Sequence, residues 1–180
     1  MSHPWIIRQA NEGDIPALEV LIPLSVRTLH RAYYSPAQIE AALGPVFGVD
    51  SQLIRDGTYY VAEANSRIVA CGGWGRRKTM YGGDRDRPEA AALLDPNTEA
   101  ARIRAFFVHP DWVRRGIGRE ILITCERALS HAGFRRAELV ATLAGELLYS
   151  AFGYQVVERY EAPMAGNLSL PVVKMEKLIT

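Results

Sequence analysis

Apolar residues recur at intervals of three and four in two long segments, which predicts two amphipathic helices. The first segment covers residues 12–30, and its apolar positions are Leu18, Leu21, Ile22, Val26 and Leu29. Pro23 lies inside this segment, and we expect it to kink or split the helix because proline removes a helical hydrogen bond. The second covers residues 116–132, with Gly133 in the position of a helix terminator. A shorter helix is predicted from Ser35-Pro36 onward, and another over residues 146–152.

Runs of β-branched and aromatic residues between these helices predict short strands. The runs cover residues 5–8, 58–63, 67–74, 101–108, 137–141, 154–160 and 172–177. Asn65-Ser66 is a plausible turn between the second and third runs, which are therefore expected to form an antiparallel hairpin. Residues 75–96 mix glycine, proline and both charge signs, which is typical of a loop. Without an internal repeat or linker, the order of elements predicts a single mixed α/β domain over residues 1–180.

Composition and charge exclude several functional classes. The 180 residues are 48% hydrophobic and 23% charged, which is ordinary for one globular domain. The net charge of +1 gives no general attraction to nucleic acid or to a membrane surface. The start, residues 1–5, lacks the basic and apolar stretches of a secretory signal, so the cytoplasm is the expected location. Cys71 and Cys125 belong to no metal-binding or disulfide pattern, and we interpret both as core residues.

The most informative segment is VHPDWVRRGIGR, residues 108–119, where a predicted strand ends and a long helix begins. The start of a helix presents unpaired N–H groups and a positive dipole end, which together suit a phosphate. Gly116 and Gly118 allow a phosphate to approach these amides closely, and Arg114 and Arg115 can add positive charge. These residues predict a phosphate-binding loop.

Two other interpretations of this segment stay open. The glycines can simply end a loop while the arginines are solvated, because short glycine motifs carry little information on their own. A Rossmann-type dinucleotide site fits less well, because no third glycine completes the fingerprint. The motif also lies two-thirds along the chain instead of after the first strand.

The segment resembles motif A of the GNAT superfamily of N-acetyltransferases, Gln/Arg-x-x-Gly-x-Gly/Ala after a strand and a Val-x-Pro turn. Residues 148–154, LYSAFGY, resemble motif B, while residues 7–14, IRQANEGD, and 170–175, LPVVKM, are similar to the family's first and closing segments. The similarity is collinear along the chain. It implies the GNAT fold, a central and mostly antiparallel sheet that splays between its fourth and fifth strands and is flanked by helices.

Two positions depart from the family pattern. Val113 stands where motif A has Gln or Arg, so a side-chain contact is lost while the backbone N–H remains. Thr142 stands where an Asn commonly precedes the motif B tyrosine, and its hydroxyl has a shorter reach. Nearby, His109 is expected to be positional, and Trp112 is expected to pack over the arginine loop.

The resemblance implies an N-acetyltransferase that uses acetyl-coenzyme A and no metal. Coenzyme A would lie between the strand ending at Val108 and the strand of residues 137–141, with backbone groups of Phe107 and Val108 pairing with its pantetheine arm. An amide near Phe107 would polarise the thioester carbonyl. The residues expected around the pyrophosphate are Arg114, Arg115, Gly116, Ile117, Gly118 and Arg119.

The same resemblance makes Tyr149 the general acid. A thiol titrates near ~8.5 and a phenol near ~10, so Tyr149 can stay protonated and donate to the departing thiolate. On helical spacing alone, Tyr149 would be a packed aromatic residue. The general base is less defined: Glu99 before the central strand is the candidate, Glu63 is a second carboxylate, and residues 102–104 read RIR where some relatives carry a glutamate.

The expected acceptor is a primary amine of a small molecule or peptide that attacks the thioester directly. The resemblance places its pocket near His30, Tyr33, Tyr34 and the loop of residues 76–89. The cations of residues 76–78 would disfavour a cationic acceptor if they faced that pocket. Two alternatives are a catalytically inactive coenzyme A sensor and a nucleotide-binding regulatory domain, and a homodimer is expected from the resemblance alone.

Overall fold

A computed structural model of the protein describes residues 4–85 and 90–180. Its strands are β1 (Ile6–Gln9), β2 (Tyr59–Ala64), β3 (Arg67–Gly75), β4 (Ala101–Val108), β5 (Arg136–Thr142), β6 (Gln155–Pro163) and β7 (Ser169–Leu178). Its helices are α1 (Ile15–Leu29), α2 (Pro36–Ala42), α3 (Ser51–Arg55), α4 (Ile117–His131) and α5 (Glu146–Ala151). Two short segments lie outside the described residues. They are residues 1–3, part of the start that was compared with a secretory signal, and residues 86–89, part of the predicted loop.

The strands form one sheet of seven in the order β1-β2-β3-β4-β5-β7-β6. Every neighbouring pair is antiparallel except β4 and β5, which are parallel. Their pairing is limited to Ala101 with Ala137 and Arg102 with Glu138, and the side chains of Arg102 and Glu138 form an ion pair there. Beyond this point the two strands separate. The predicted splayed, mostly antiparallel α/β fold is therefore confirmed.

The helix predicted over residues 12–30 is a 3-10 turn followed by α1. The turn begins with a capping box, in which Asp14 accepts the backbone N–H of Asn11 at 2.9 Å. Arg8 of β1 donates two hydrogen bonds to the same carboxylate at 2.8 and 2.9 Å, which joins the strand to the helix start. Pro23 lies inside α1 without splitting it, so that part of the prediction is wrong. The helix continues because its buried face keeps its packing on both sides of Pro23.

The predicted hairpin is confirmed as β2 and β3. Asn65 and Ser66 connect them with φ of 50° and 59°, the left-handed conformation that tight hairpins require. In the segment predicted as a loop, the described residues Arg77 and Leu93 pair in an isolated antiparallel bridge. The short helix α3 was not predicted. It depends on Asp50, whose carboxylate accepts the backbone N–H groups of Gln52 and Leu53.

Two hydrophobic cores cover the two faces of the sheet. One lies under α4, where Ile117, Ile121 and Leu129 pack against strand residues such as Ile103. The other lies under α1 and α2 and includes Phe107 of β4. Cys125 is buried in the first core and Cys71 in the second, as the sequence predicted. Among the described helices, none combines the length and apolar character needed to cross a bilayer.

Candidate active site

β4 carries a bulge just beyond the point where it leaves β5. The β3–β4 register shifts there, so that Ala105 and Phe106 both oppose Gly72. Ala105 has a φ of 56°, a conformation that residues with side chains seldom adopt. The buried hydroxyl of Tyr59 donates to the Ala105 carbonyl at 2.8 Å. This hydrogen bond holds the strained residue in place.

The ring of Phe106 occupies the space above Gly72. A Cβ at Gly72 would lie 2.7 Å from the ring, so only glycine fits beneath it. The Phe106 ring in turn meets the ring of Tyr149 edge to face, with centroids 6.0 Å apart. The bulge therefore sets the position of Tyr149 relative to the central strand.

The loop before α4 turns its backbone through two left-handed residues, Arg114 (φ 59°) and Gly116 (φ 91°). A Cβ at Gly116 would meet nothing within 4 Å, so the space in front of this residue is open. The first amides of α4 have no partner within the helix and carry the positive end of its dipole. The loop therefore leaves room for a phosphate at these amides, and phosphate binding here stays a prediction.

Aromatic rings hold two arginines of this loop region. The guanidinium of Arg115 lies over Trp112, 4.7 Å from the ring centroid, and that of Arg119 lies over Phe152 at 5.7 Å. Trp112 thus packs over the arginine loop as predicted. His109 is positional as predicted, because its Nδ1 accepts the backbone N–H of Asp111 at 3.1 Å and caps the turn.

A continuous cavity of about 740 Å³ runs from this loop, through the gap between β4 and β5, to the face of α1 and α2. We call the part beside the start of α4 the α4 lobe; it is lined by Val108, Arg114, Gly116, Ile117, Gly118, Arg119 and Tyr149. We call the part under α1 the α1 lobe; it is lined by His30, Tyr33, Phe47, Met80, Tyr81 and Leu170. Phe107 of β4 lies between them.

The cavity brings together most of the residues expected to hold coenzyme A. All of them line it except Arg115, whose side chain is placed against Trp112 outside the wall. Tyr149 also lines it. Of the two departures from the family pattern, Val113 lies in the wall. Thr142 lies there too, and its Oγ1 accepts the Gly145 N–H at 3.1 Å just before α5.

The two carboxylates considered as bases lie elsewhere. Glu99 accepts the backbone N–H of Asp95 at 2.8 Å and is 3.8 Å from the Lys78 ammonium. Glu63 accepts a hydrogen bond from Arg8 at 3.0 Å. Neither residue is part of the cavity wall, because both are engaged in contacts away from the gap.

The predicted acceptor residues divide into two groups. His30 and Tyr33 line the α1 lobe. Tyr34 lies behind the wall, where its hydroxyl donates to the Pro171 carbonyl at 2.7 Å and accepts the Leu143 N–H at 2.9 Å. It therefore joins β7 to the segment that follows β5.

The side chains of Arg76, Arg77 and Lys78 do not line the cavity. Arg76 lies over Trp74, and Arg77 donates to both carboxylate oxygens of Asp56 at 2.8 and 3.0 Å. Lys78 approaches Glu99 instead. These cations therefore place no charge against the acceptor in the described structure.

Arg104 of β4 is a site residue that sequence reasoning did not find. Its buried guanidinium donates to Asp50 at 2.8 Å and to the Gly82 carbonyl at 2.7 Å, with a longer contact to the Thr79 carbonyl at 3.4 Å. It thereby fixes the loop that carries Met80 and Tyr81. The alternation of apolar residues and arginines in residues 101–104 gives no sign of a buried charge, and the partners of Arg104 lie more than twenty residues away in sequence.

Burial determines the protonation of the ionisable groups near the gap. It lowers the pKa of His30 to about 4, so this imidazole is neutral at physiological pH. It raises the pKa of the Tyr149 phenol, which therefore stays protonated. It also raises the pKa of the Cys71 thiol to about 12. Within residues 4–85 and 90–180, no group of three or more potential ligands is placed to hold a metal ion.

Solved structures share this architecture. A GCN5-related N-acetyltransferase from Rhodopseudomonas palustris has a TM-score of 0.72 at 20% identity, covering 99% of this chain and 97% of that one. PaiA N-acetyltransferase from Thermoplasma acidophilum, solved with coenzyme A, has a TM-score of 0.67 at 15% identity, covering 99% of both chains. YncA from Salmonella typhimurium, solved with acetyl-CoA, has a TM-score of 0.65 at 14% identity, covering 99% and 95%. At these levels of identity, the similarities show a shared fold.

Sequence comparison identifies the family. No curated protein sequence matches at a significant level. A family model for the acetyltransferase (GNAT) domain, however, matches residues 55–156, more than half of the chain. This range contains the bulge of β4, the glycine loop and Tyr149. The chain therefore belongs to the GNAT family of acetyltransferases.

Proposed function

We propose that this protein transfers the acetyl group of acetyl-coenzyme A to a primary amine of a small molecule or peptide by direct attack. The observation that carries the proposal is the continuous cavity, which connects the glycine loop to the α1 lobe through the gap between β4 and β5. Donor and acceptor can then approach from opposite faces of the sheet. Their reacting atoms would meet beside Phe107 and Tyr149.

The residues of the α4 lobe fit coenzyme A. The open space at Gly116 and the guanidinium groups of Arg114 and Arg119 suit a pyrophosphate. Beyond Arg102, no strand of the described residues pairs with the edge of β4 that faces the gap, so an extended pantetheine arm can pair with it. The cavity of about 740 Å³ is also within the usual range for ligand sites.

A backbone amide of β4 is suited to polarise the acetyl carbonyl. The amide of His109 donates to Val69 of β3 at 2.8 Å. Because successive amides of an extended strand point to opposite sides, the amide of Val108 faces the gap. We assign to Val108 the role that the sequence placed near Phe107, stabilising negative charge on the carbonyl oxygen during attack.

The remaining chemistry needs one proton donor. The amine nitrogen attacks the acetyl carbon, a C–N bond forms, and the C–S bond breaks. Tyr149 lines the gap, and the raised pKa of its phenol keeps the proton available for the departing sulfur. The acceptor nitrogen releases its proton to water, since no Asp or Glu of the described residues lines the cavity.

Direct transfer is favoured over an acetyl-cysteine intermediate. Cys71 and Cys125 are fully buried and lie outside the cavity wall. Burial raises the pKa of both thiols, which disfavours the thiolate that would have to attack. Neither cysteine is therefore suited to carry the acetyl group.

The test is thiol release from acetyl-coenzyme A across a panel of primary amines, with thermal shifts run in parallel. We expect stabilisation by coenzyme A in preference to NAD or ATP, and thiol release that depends on an amine. Stabilisation by coenzyme A without release on any amine would instead identify a sensor. A preference for NAD or ATP would indicate a nucleotide-binding regulatory domain. Either of these two results would contradict the proposal.

A further inference from the structure

The wall of the α1 lobe is mostly apolar and aromatic, with the His30 imidazole and the hydroxyl groups of Tyr33 and Tyr81 as polar groups. Phe47 meets the imidazole of His30 edge to face at 5.2 Å and the ring of Phe107 at 6.1 Å. Tyr33 and Tyr81 are partly exposed, at 48% and 36%, while Leu170 closes the buried end. Such a wall offers ring edges and faces to a flat apolar group and desolvates it.

Within residues 4–85 and 90–180, the charged side chain nearest the α1 lobe is Arg104, which already forms an ion pair with Asp50. Across the described residues, the cavity wall includes no aspartate or glutamate, and its arginines are Arg104, Arg114 and Arg119. Arg114 and Arg119 lie at the far end, in the α4 lobe. Arg104 is beside the α1 lobe, but its charge is matched by Asp50 at 2.8 Å, with both side chains buried. A second ammonium or a carboxylate on the acceptor would lose its hydration there without gaining a partner.

His30 adds no charge either. Its side chain is buried, and its Nδ1 has no hydrogen-bond partner among the described residues. The low pKa that results from burial keeps the ring neutral above about pH 5. The imidazole is therefore an uncharged polar group of the wall, beside the hydroxyl groups of Ser25, Tyr33 and Tyr81, and it neither repels an amine nor forms an ion pair with an acid.

Given the proposed acetyl transfer, we infer that the acceptor is a small aromatic monoamine with no second charged group, bound with its ring in the α1 lobe. The amine nitrogen points toward the gap between β4 and β5 and reacts in its uncharged form. The C–N bond forms as the C–S bond breaks, and the proton lost by nitrogen balances the proton gained by sulfur. Polyamines, free amino acids and basic peptides are poor acceptors for this site.

Two pairs of amines that share a ring test this inference. Benzylamine differs from p-xylylenediamine by a second ammonium, and phenethylamine differs from phenylalanine by a carboxylate. We expect kcat/KM to be about tenfold or more higher for the monoamine of each pair, because the added charge is desolvated without a partner. We also expect kcat/KM for both monoamines to rise between about pH 6.5 and 8.5, as the amine loses its proton in solution.

A substitution that adds a carboxylate to the α1 lobe tests the same inference from the side of the protein. Tyr81→Glu puts a carboxylate at the partly exposed mouth of the α1 lobe, and we expect it to reduce the preference for benzylamine over the diamine about tenfold. Val20→Glu makes the same change of charge on the exposed face of α1, away from the cavity, and should leave that preference unchanged.

Two results would overturn the inference while leaving acetyl transfer intact. One is efficient turnover of the diamine, phenylalanine, spermidine or a lysine peptide relative to the monoamines. The other is an unchanged preference in the Tyr81→Glu variant. A lack of thiol release with every amine, including spermidine and the lysine peptide, would contradict the proposed function itself and the inference with it.

Discussion

His30 shows how burial sets the charge of a single side chain in this site. The imidazole packs against Phe47 and Tyr34 and lacks a partner for Nδ1 within the described structure. Its pKa of about 4 lies below the ordinary value of about 6.5. The unfolded chain consequently binds a proton at pH values where the folded protein does not.

We expect this difference to make the protein less stable in acid. The free energy of unfolding should fall as the pH drops below about 6.5, and His30 alone should account for about 2 kcal/mol of the loss between about pH 7 and 5. His30→Gln removes this contribution, which urea unfolding at the two pH values would measure. His131→Gln, at an exposed position of α4, is the control for loss of an imidazole elsewhere. An equal acid loss in wild type and His30→Gln would contradict the assignment.

Arg104 and Asp50 form a buried pair whose partners depend on each other. The side chains are only 3% and 1% exposed. Arg104→Ala would remove a guanidinium that pairs with the buried Asp50 carboxylate, and we expect a loss of about 3–5 kcal/mol in the free energy of unfolding. The KM for the amine should also rise, because the Gly82 carbonyl loses its donor and the loop of Met80 and Tyr81 its anchor.

The exposed pair of Arg27 and Glu40 provides the comparison. Its side chains are 55% and 58% exposed, so solvent screens the pair and Arg27→Ala should lower the free energy of unfolding far less than Arg104→Ala. Denaturant unfolding of both variants measures the difference. Similar losses for Arg27→Ala and Arg104→Ala would show that the buried pair has no special role.

Between strands, the bulge of β4 depends on the glycine opposite it. Gly72→Ala places a methyl group 2.7 Å from the Phe106 ring, which must move out of its contact with Tyr149. We expect a loss of about 1–3 kcal/mol in stability and weaker binding of acetyl-coenzyme A. Gly75→Ala is a matched control, because Gly75 lies in β3 like Gly72 and its added methyl group would be 3.5 Å or more from its neighbours. Thermal unfolding and calorimetric titration would separate the two variants, and equal behaviour would contradict this role for Phe106.

Elements whose signals are local in sequence could be predicted well. The strand Ala101–Val108 was predicted with its observed bounds, and α4 differs from its prediction by one residue at each end. The five-residue helix α3 was missed because it is too short to show an apolar period. Its start depends on the carboxylate of Asp50, whose other partner is Arg104 on a distant strand. The strands β6 and β7 are longer than predicted because they pair with each other over most of their length, which apolar pattern alone does not reveal.

For the protein as a whole, the two lobes of the cavity differ in how far the sequence could predict them. The glycine loop is contiguous, so a strand, two arginines and a helix start were enough to locate it. The α1 lobe is assembled from separate parts of the chain, including His30, Phe47 and Leu170, whose proximity depends on the packing of α1 and β7. Through the family resemblance, sequence reasoning found His30, Tyr33 and the loop that carries Met80 and Tyr81, and it missed Phe47 and Leu170. The homodimer stays a prediction.

The central claim of the proposed function is that Tyr149 acts as the general acid, and one pair of variants tests it. Tyr149 and Tyr154 pack edge to face at 5.8 Å, but only Tyr149 lines the cavity. Tyr149→Phe and Tyr154→Phe each remove one hydroxyl and keep both rings. The measurement is kcat for amine-dependent thiol release, together with the affinity for coenzyme A. If Tyr149 is the proton donor, kcat should be about a hundredfold lower in Tyr149→Phe, while its affinity for coenzyme A should not change. Tyr154→Phe should have a near-normal kcat. A normal rate in Tyr149→Phe would contradict acid catalysis by this residue.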